Sequence, residues 1–287
     1  MAATVKFAID APNFGEYGNP RTLAQLAREA EDAGWDGFFI WDHIVFDQKD
    51  RPPIADPWIA LAAIATATER IRLGPMITPL SRRRPWQVAR QAVTLDHLSG
   101  GRLTLGVGLG HPPDADFEPF GEVWDDRARA RRLDEALEVL AGLWTGEPFS
   151  QEGEHFRVSD VTFLPKPVQS PRIPVWVAGV WPGKAPFRRA ARWDGAFPIK
   201  FGAGGPEPIT PDDVREIRAY VAEYRRSDAP FDIIVVGYTP GDHPGRDIVA
   251  RLEEAGATWW LEGLDPWRGP LDEMRARLRA GPPRLSA

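Results

Sequence analysis

What most constrains this chain is an alternation that runs nearly its whole length. Short apolar runs take turns with segments whose apolar residues recur at helical spacing. Runs without polar alternation mark strands buried on both faces, and helices between them mark parallel βα units. The runs are Val5–Asp10, Gly37–Trp41, Ile71–Ile77, Leu103–Val107, Val175–Ala178, Gly195–Lys200, Ile233–Tyr238 and Thr258–Glu262, which makes eight strands. Between them, Leu23, Leu26, Ala27 and Ala30 share a helical face, as do Val88, Ala92 and Leu95, then Leu133, Leu137, Leu140 and Trp144. Helix-end signals agree: Asp56-Pro57 reads as an N-cap followed by a first-turn proline, and Gly34 and Gly256 sit where helices should stop. An internal echo, "EDAGWDGFF", "AARWDGAF" and "EEAGATWW", runs each time from a helix end through a turn into a strand. Eight such units in 287 residues predict an α/β fold, a single (β/α)8 TIM barrel over residues 1–287.

Two stretches break the alternation. Residues 148–171 carry alternating apolar positions, glycine and proline, and read as a hairpin and loop inserted before strand five, lying over the barrel. Residues 109–126 have no period and hold Gly110, His111 and several acids, so they read as a wall of a site.

Composition narrows the chemistry. Without cysteine there is no disulfide, thiolate metal site or Cys nucleophile, which fits a cytoplasmic protein. A net charge of -6 argues against a nucleic-acid surface, and no apolar passage is long enough to span a bilayer. No two histidines have metal-ligand spacing; His97, His155 and His243 read as solvent-facing, while His111 lies on the long loop within reach of a site. The 12 tryptophans are read mostly as core, with some framing a pocket.

In "GWDGFFIWDHI" a run of large apolar residues ends at once in Trp41, Asp42 and His43. An ionised carboxylate is too costly for a strand interior. If this run is the second barrel strand, Asp42 and His43 stand at its C-terminal end, where such barrels place their chemistry. "GVGLG", Gly106 to Gly110, follows the fourth strand, lacks the third glycine of a dinucleotide fingerprint, and reads as backbone that a flat ring or phosphate can approach. "VAGVWPGKAP" runs from strand through glycine to a helix start with Lys184 near it, and is either a phosphate turn or an ordinary βα turn. Arg82, Arg83 and Arg84 are either a solvated charge run or a site for an anionic ligand tail.

Together, "GWDGFFIWDHI", "RIRLGPMITPLSRRRPWQVARQAVTLDHLSGGRLTLGVGLG", "LDEALEVLAGLWTG" and "FLPKPVQSPRIPVWVAG" resemble the bacterial luciferase-like superfamily of flavin and deazaflavin oxidoreductases. The resemblance implies a (β/α)8 barrel with FMN or coenzyme F420 bound across its C-terminal mouth. "WDH" is similar to the Asp-His segment of F420-dependent sugar-phosphate dehydrogenases, which makes His43 and Asp42 the expected catalytic residues. The resemblance also implies a non-prolyl cis peptide within Pro75–Thr78, and a phosphate site at Gly179 and Val180. The cofactor-binding set is then Trp41, Met76, Ile77, Thr78, Gly106, Gly108, Gly179, Val180 and Lys184, with no metal. Where those dehydrogenases carry a Glu soon after the glycines, this chain reads "GLGHPPDADF", which argues against a sugar phosphate. The expected activity is hydride transfer between F420 and a small organic substrate. FMN-dependent monooxygenation is the alternative, and a glycosidase using Asp42 and Glu262 is a remote one. A homodimer is expected, as is a separate reductase as partner for the monooxygenase reading.

Overall fold

The computed structural model describes residues 5–240 and 243–283. Eight parallel strands form the barrel: β1 Lys6–Ala11, β2 Gly37–Ile40, β3 Arg72–Pro75, β4 Leu105–Gly108, β5 Val175–Trp181, β6 Gly195–Gly202, β7 Asp232–Gly237 and β8 Trp259–Gly263. They pair in the order β3-β2-β1-β8-β7-β6-β5-β4, and the ring closes between β3 and β4. Helices alternate with the strands and wrap the outside. This is the predicted (β/α)8 barrel.

Closure happens in two steps, and the continuous strand expected over Ile71–Ile77 is interrupted. β3 bridges Leu103 through Leu73, the chain breaks at a cis Met76–Ile77 peptide, and Thr78–Pro79 then pairs with Val107–Gly108. The cis bond falls within the stretch that the resemblance singled out. Sequence periodicity cannot see such a break, because Met76 and Ile77 on its two sides are both apolar.

The internal echo has a physical basis. Asp36, Asp194 and Thr258 each precede a strand and accept the backbone N–H at the start of another: Phe7 N at 2.9 Å, Val175 N at 2.8 Å and Ile233 N at 3.0 Å. Each motif thus satisfies a strand-start amide at the N-terminal end of the barrel that would otherwise lack a partner.

The barrel interior is a packed plug. Phe39, Trp176 and Trp259 meet tilted or edge to face at centroid distances of 5.2–6.1 Å, with Ala8, Met76, Ala178, Phe197, Ile234 and Leu261 around them. A larger apolar layer lies between strands and helices, including the helical faces read from the sequence. The predicted caps hold: Asp56 Oδ1 accepts Ile59 N at 2.9 Å ahead of Pro57, and Gly34 and Gly256 have positive φ just past their helices.

The inserted hairpin is Phe149–Glu152 with Arg157–Val161. It lies over the barrel's outer helices, where Glu135 accepts the His155 and Phe156 backbone N–H groups. His155 is therefore half-buried, not solvent-facing; His97 is exposed and reaches the Lys166 carbonyl at 2.8 Å. His243 opens the helix His243–Ala255 instead of lying in a loop. No helix among the described residues is long and apolar enough to cross a membrane.

Candidate active site

All eight strands point the same way, so Asp42, His43, Thr78, Gly108 and Gly179 gather at one mouth. Successive residues of an extended chain face opposite ways, and Asp42 and His43 accordingly go to different partners. Asp42 is fully buried. Its Oδ2 accepts the Thr78 hydroxyl at 2.7 Å, and its Oδ1 accepts Arg83 at 2.7 Å and Arg82 at 3.2 Å. It makes no hydrogen bond to His43.

The orienting group is Asp116, from the loop after β4. Its Oδ2 lies 2.7 Å from His43 Nδ1, and its Oδ1 accepts the backbone N–H groups of Ile44, Val45 and Phe46 at 3.1, 2.8 and 3.2 Å. Arg82 approaches the same carboxylate at 3.3 Å. Burial would raise the Asp116 carboxyl, but His43, the Val45 amide and the Arg82 charge overcome it and hold the group well below the usual carboxylate range. An ionised carboxylate only accepts, so Nδ1 is the protonated nitrogen that donates to it, which leaves Nε2 as the second ring nitrogen. The backbone of His43 is fixed too: Asn13 accepts its N–H at 3.3 Å and donates to its carbonyl at 2.9 Å.

Neither sequence reading of the arginine run survives for its first two members. Arg82 is almost fully buried and bridges Asp42 and Asp116, and Arg83 pairs with Asp42. Arg84 lies over the Trp86 ring at 5.9 Å. The run is mainly a clamp, not a docking point for an anion.

Around His43 the walls are aromatic. Phe14 stacks on Phe46 at 4.1 Å, Trp41 lies 5.9 Å from the His43 ring, and Trp41 stacks on Trp267 at 6.0 Å and 26°. Trp41 Nε1 donates to Asp10 Oδ2 at 2.8 Å. Tyr238 donates to Asp265 at 2.5 Å, and burial and that carboxylate push its hydroxyl up. Trp267 and Tyr238 remain 64% and 56% exposed, and with Ile44, Val180 and Phe201 they form an apolar rim at the strand ends. His111 is exposed on the rim, its ring 6.0 Å from that of Phe201.

Other expected cofactor residues are placed differently from the sequence reading. A Cβ on Gly106 would lie 2.4 Å from the Pro75 carbonyl, and one on Gly108 would lie 2.7 Å from Ile77, so these glycines admit the chain's own break in β3. Gly179 is similarly close-packed, against Pro186, where a Cβ would lie at 2.2 Å. Lys184 Nζ sits 3.8 Å from the Trp181 ring centroid, and Trp181 belongs to the outer layer between strands and helices, so Lys184 is turned away from the mouth. Ile77 is partly exposed at the break, while Met76 and Thr78 are buried beneath it.

The carboxylate pair of the glycosidase alternative is spent. Glu262 is fully buried and held by Arg268 at 2.5 Å, Arg277 at 3.4 Å, Thr239 and Trp260, and Asp42 is bound as described. Neither can act as acid or nucleophile on a sugar. Among the described residues no cluster of three His, Asp or Glu is arranged to hold a metal ion.

Sequence reasoning missed Asp116 and Asp10. Asp116 has no local signal, being one of several acids in an aperiodic loop. Asp10 does have one, since it ends an apolar run just as Asp42 does.

Comparison with known proteins agrees with this geometry. The chain is 33% identical over 261 residues to an uncharacterised protein of Mycobacterium tuberculosis, covering 83% of each. It is 33% identical over 247 residues to a protein of Beutenbergia cavernae named as an F420-dependent glucose-6-phosphate dehydrogenase, covering 84% of this chain and 69% of the relative. In fold it is similar to an F420-dependent secondary alcohol dehydrogenase solved with an F420–acetone adduct, with TM-score 0.79, 17% identity and 98% of each chain covered. The sequence pattern of the family described as luciferase-like monooxygenase matches residues 4–275, and the chain belongs to that family.

Proposed function

We propose that this chain transfers a hydride between coenzyme F420 and a small organic substrate bearing a hydroxyl or carbonyl group. The observation that carries the reading is the His43–Asp116 pair, which occupies one imidazole nitrogen and sets the ring among aromatic side chains. The F420-dependent name of the Beutenbergia cavernae relative supports the choice of cofactor.

The apolar rim of Ile44, Val180, Phe201, Tyr238 and Trp267 suits a flat heteroaromatic ring. Trp41 and the Met76–Thr78 break would hold that ring, and the turn at Gly179 and Val180 would take its phosphate without Lys184. When bound, F420 supplies a ring carbon that accepts or returns a hydride. As hydride leaves a carbinol carbon, His43 Nε2 takes the hydroxyl proton and a carbonyl remains; in reverse, the imidazolium returns the proton. Asp116 steadies the imidazolium and fixes the tautomer. The surrounding rings exclude water from this exchange.

The substrate proposed is not a sugar phosphate. Arg82 and Arg83 are consumed by Asp42 and Asp116, and the segment after β4, GLGHPPDADF, lacks the Glu of the dehydrogenase pattern. Titrating the purified protein with F420 and with FMN tests the reading. Tight, saturable F420 binding with secondary-alcohol oxidation is the expected result. Binding of FMN alone overturns it in favour of flavin-dependent monooxygenation.

A further inference from the structure

The inner face of β1 carries a buried carboxyl at its mouth end. Asp10 follows Ala8 on that face, lies in register with Phe39 and Gly263, and is 4% exposed. Its Oδ2 accepts the Trp41 indole N–H, and its Oδ1 is buried with no hydrogen-bond partner. No Lys, Arg or His is paired with it among the described residues. The charge of another carboxylate acts on it, that of Asp265, which is held by the Tyr238 hydroxyl and the Trp267 and Arg268 amides. Arg268 itself is spent on Glu262 and on the Gly263 and Thr239 carbonyls. Tyr17 and Tyr238 both feel the Asp265 charge, and burial pushes both hydroxyls up. Beyond Trp41 stand His43 and Asp116.

A buried carboxyl without a counter-charge is costly when ionised, and such groups concentrate at functional sites. Burial pushes Asp10 up to about 7, against the Trp41 hydrogen bond, and the Asp265 charge adds to the rise. Ionised and neutral forms are both accessible near neutral pH, and a carboxylate accepts an N–H far more strongly than a neutral acid does.

We propose that Asp10 is a positioning residue for the site: it grips the Trp41 indole when ionised and slackens when protonated, so that the wall between Trp267 and His43 tightens as Asp10 loses its proton. Trp41 is suited to pass this on, because one ring touches Asp10 by hydrogen bond, Trp267 by stacking and His43 by its edge. The proposal rests on reading the mouth as the reaction site, yet its first test needs neither cofactor nor substrate.

In ¹⁵N-labelled protein, the Trp41 indole resonance is identified by its loss in Trp41→Phe and followed across neutral pH. The expected result is one ionisation that disappears in Asp10→Asn, moves to lower pH in Asp265→Asn and persists in His43→Gln. A Trp41 resonance that does not titrate, or titrates alike in Asp10→Asn, overturns the proposal. The second test is the affinity for F420, which should change by about threefold or more across the same ionisation, as when a proton and a ligand share one wall. A pH-independent affinity overturns the link to the site. If Trp41 titrates as expected but neither F420 nor FMN binds, the grip on Trp41 stands and the reading of the mouth fails; if F420 binds and reacts while Trp41 stays flat, the reverse holds.

Discussion

The two sides of the barrel mouth use the same kinds of side chain to opposite ends. On one side, Asp42, Thr78, Arg82, Arg83, Asp116 and His43 form a buried ionic web in which each carboxylate meets several donors. On the other, Asp10 is equally buried but has one indole donor, a bare second oxygen and a like charge nearby. The contrast teaches that pairing, not burial, decides what a carboxylate does here. The paired side fixes the base in one tautomer and one place. The unpaired side leaves a wall whose grip depends on a proton.

The largest effect expected from attacking this contrast is Arg82→Met, which strips a shared cation from two buried carboxylates. Loss of one partner from a buried ion pair costs about 3–5 kcal/mol, and chemical denaturation should show a drop of that order. If stability barely changes, the ionic side is not the rigid one.

The sides should also answer pH with opposite sign. Asp116 is held below its unfolded value, so its contribution is present above about pH 4 and lost as acid protonates it. Asp10 is raised above its unfolded value, so folding is favoured while both states keep the proton and weakens as pH climbs towards about 7. At ~1.4 kcal/mol per unit of raised pKa, Asp10→Asn should gain a few kcal/mol on the wild type between mildly acidic and mildly alkaline denaturation series. A constant gap would mean that folding does not raise the Asp10 carboxyl.

His43→Ala should leave F420 affinity nearly unchanged while turnover falls about 100-fold or more, roughly 2.7 kcal/mol. An equal fall in affinity would recast the histidine as part of the cofactor pocket. The smallest effect is expected for Asp116→Asn, with turnover lowered about tenfold or more, roughly 1.4 kcal/mol, because the amide can present the wrong group to Nδ1. Its pH profile should change as well, and an unaltered profile would remove Asp116 from its orienting role.

Much of the fold is legible in the sequence. Eight apolar runs, the caps at Asp56, Gly34 and Gly256, and the hairpin all correspond to local chemistry, which periodicity and turn residues report directly. The site was only half legible. His43 stands out because a strand ends in polar residues, but its partner comes from 73 residues away, and nothing local separates Asp116 from Asp114 or Glu118. The arginine run misled for the same reason: Arg82 looks solvated until Asp42 and Asp116 converge on it. Glycines misled in another way, since a missing Cβ signals close approach without saying whether ligand or protein approaches.

Three consecutive amides, those of Ile44, Val45 and Phe46, end on a single oxygen of Asp116. The segment after β2 and the loop after β4 are therefore sewn together across the mouth, with Arg82 as a second stitch to the Asp116 carbonyl. Opening one means opening both, so these three amides should exchange with deuterium as one cooperative unit. The far side of the mouth has a smaller tie of its own, since Asp265 accepts both the Tyr238 hydroxyl and the Trp267 amide while their rings stay exposed.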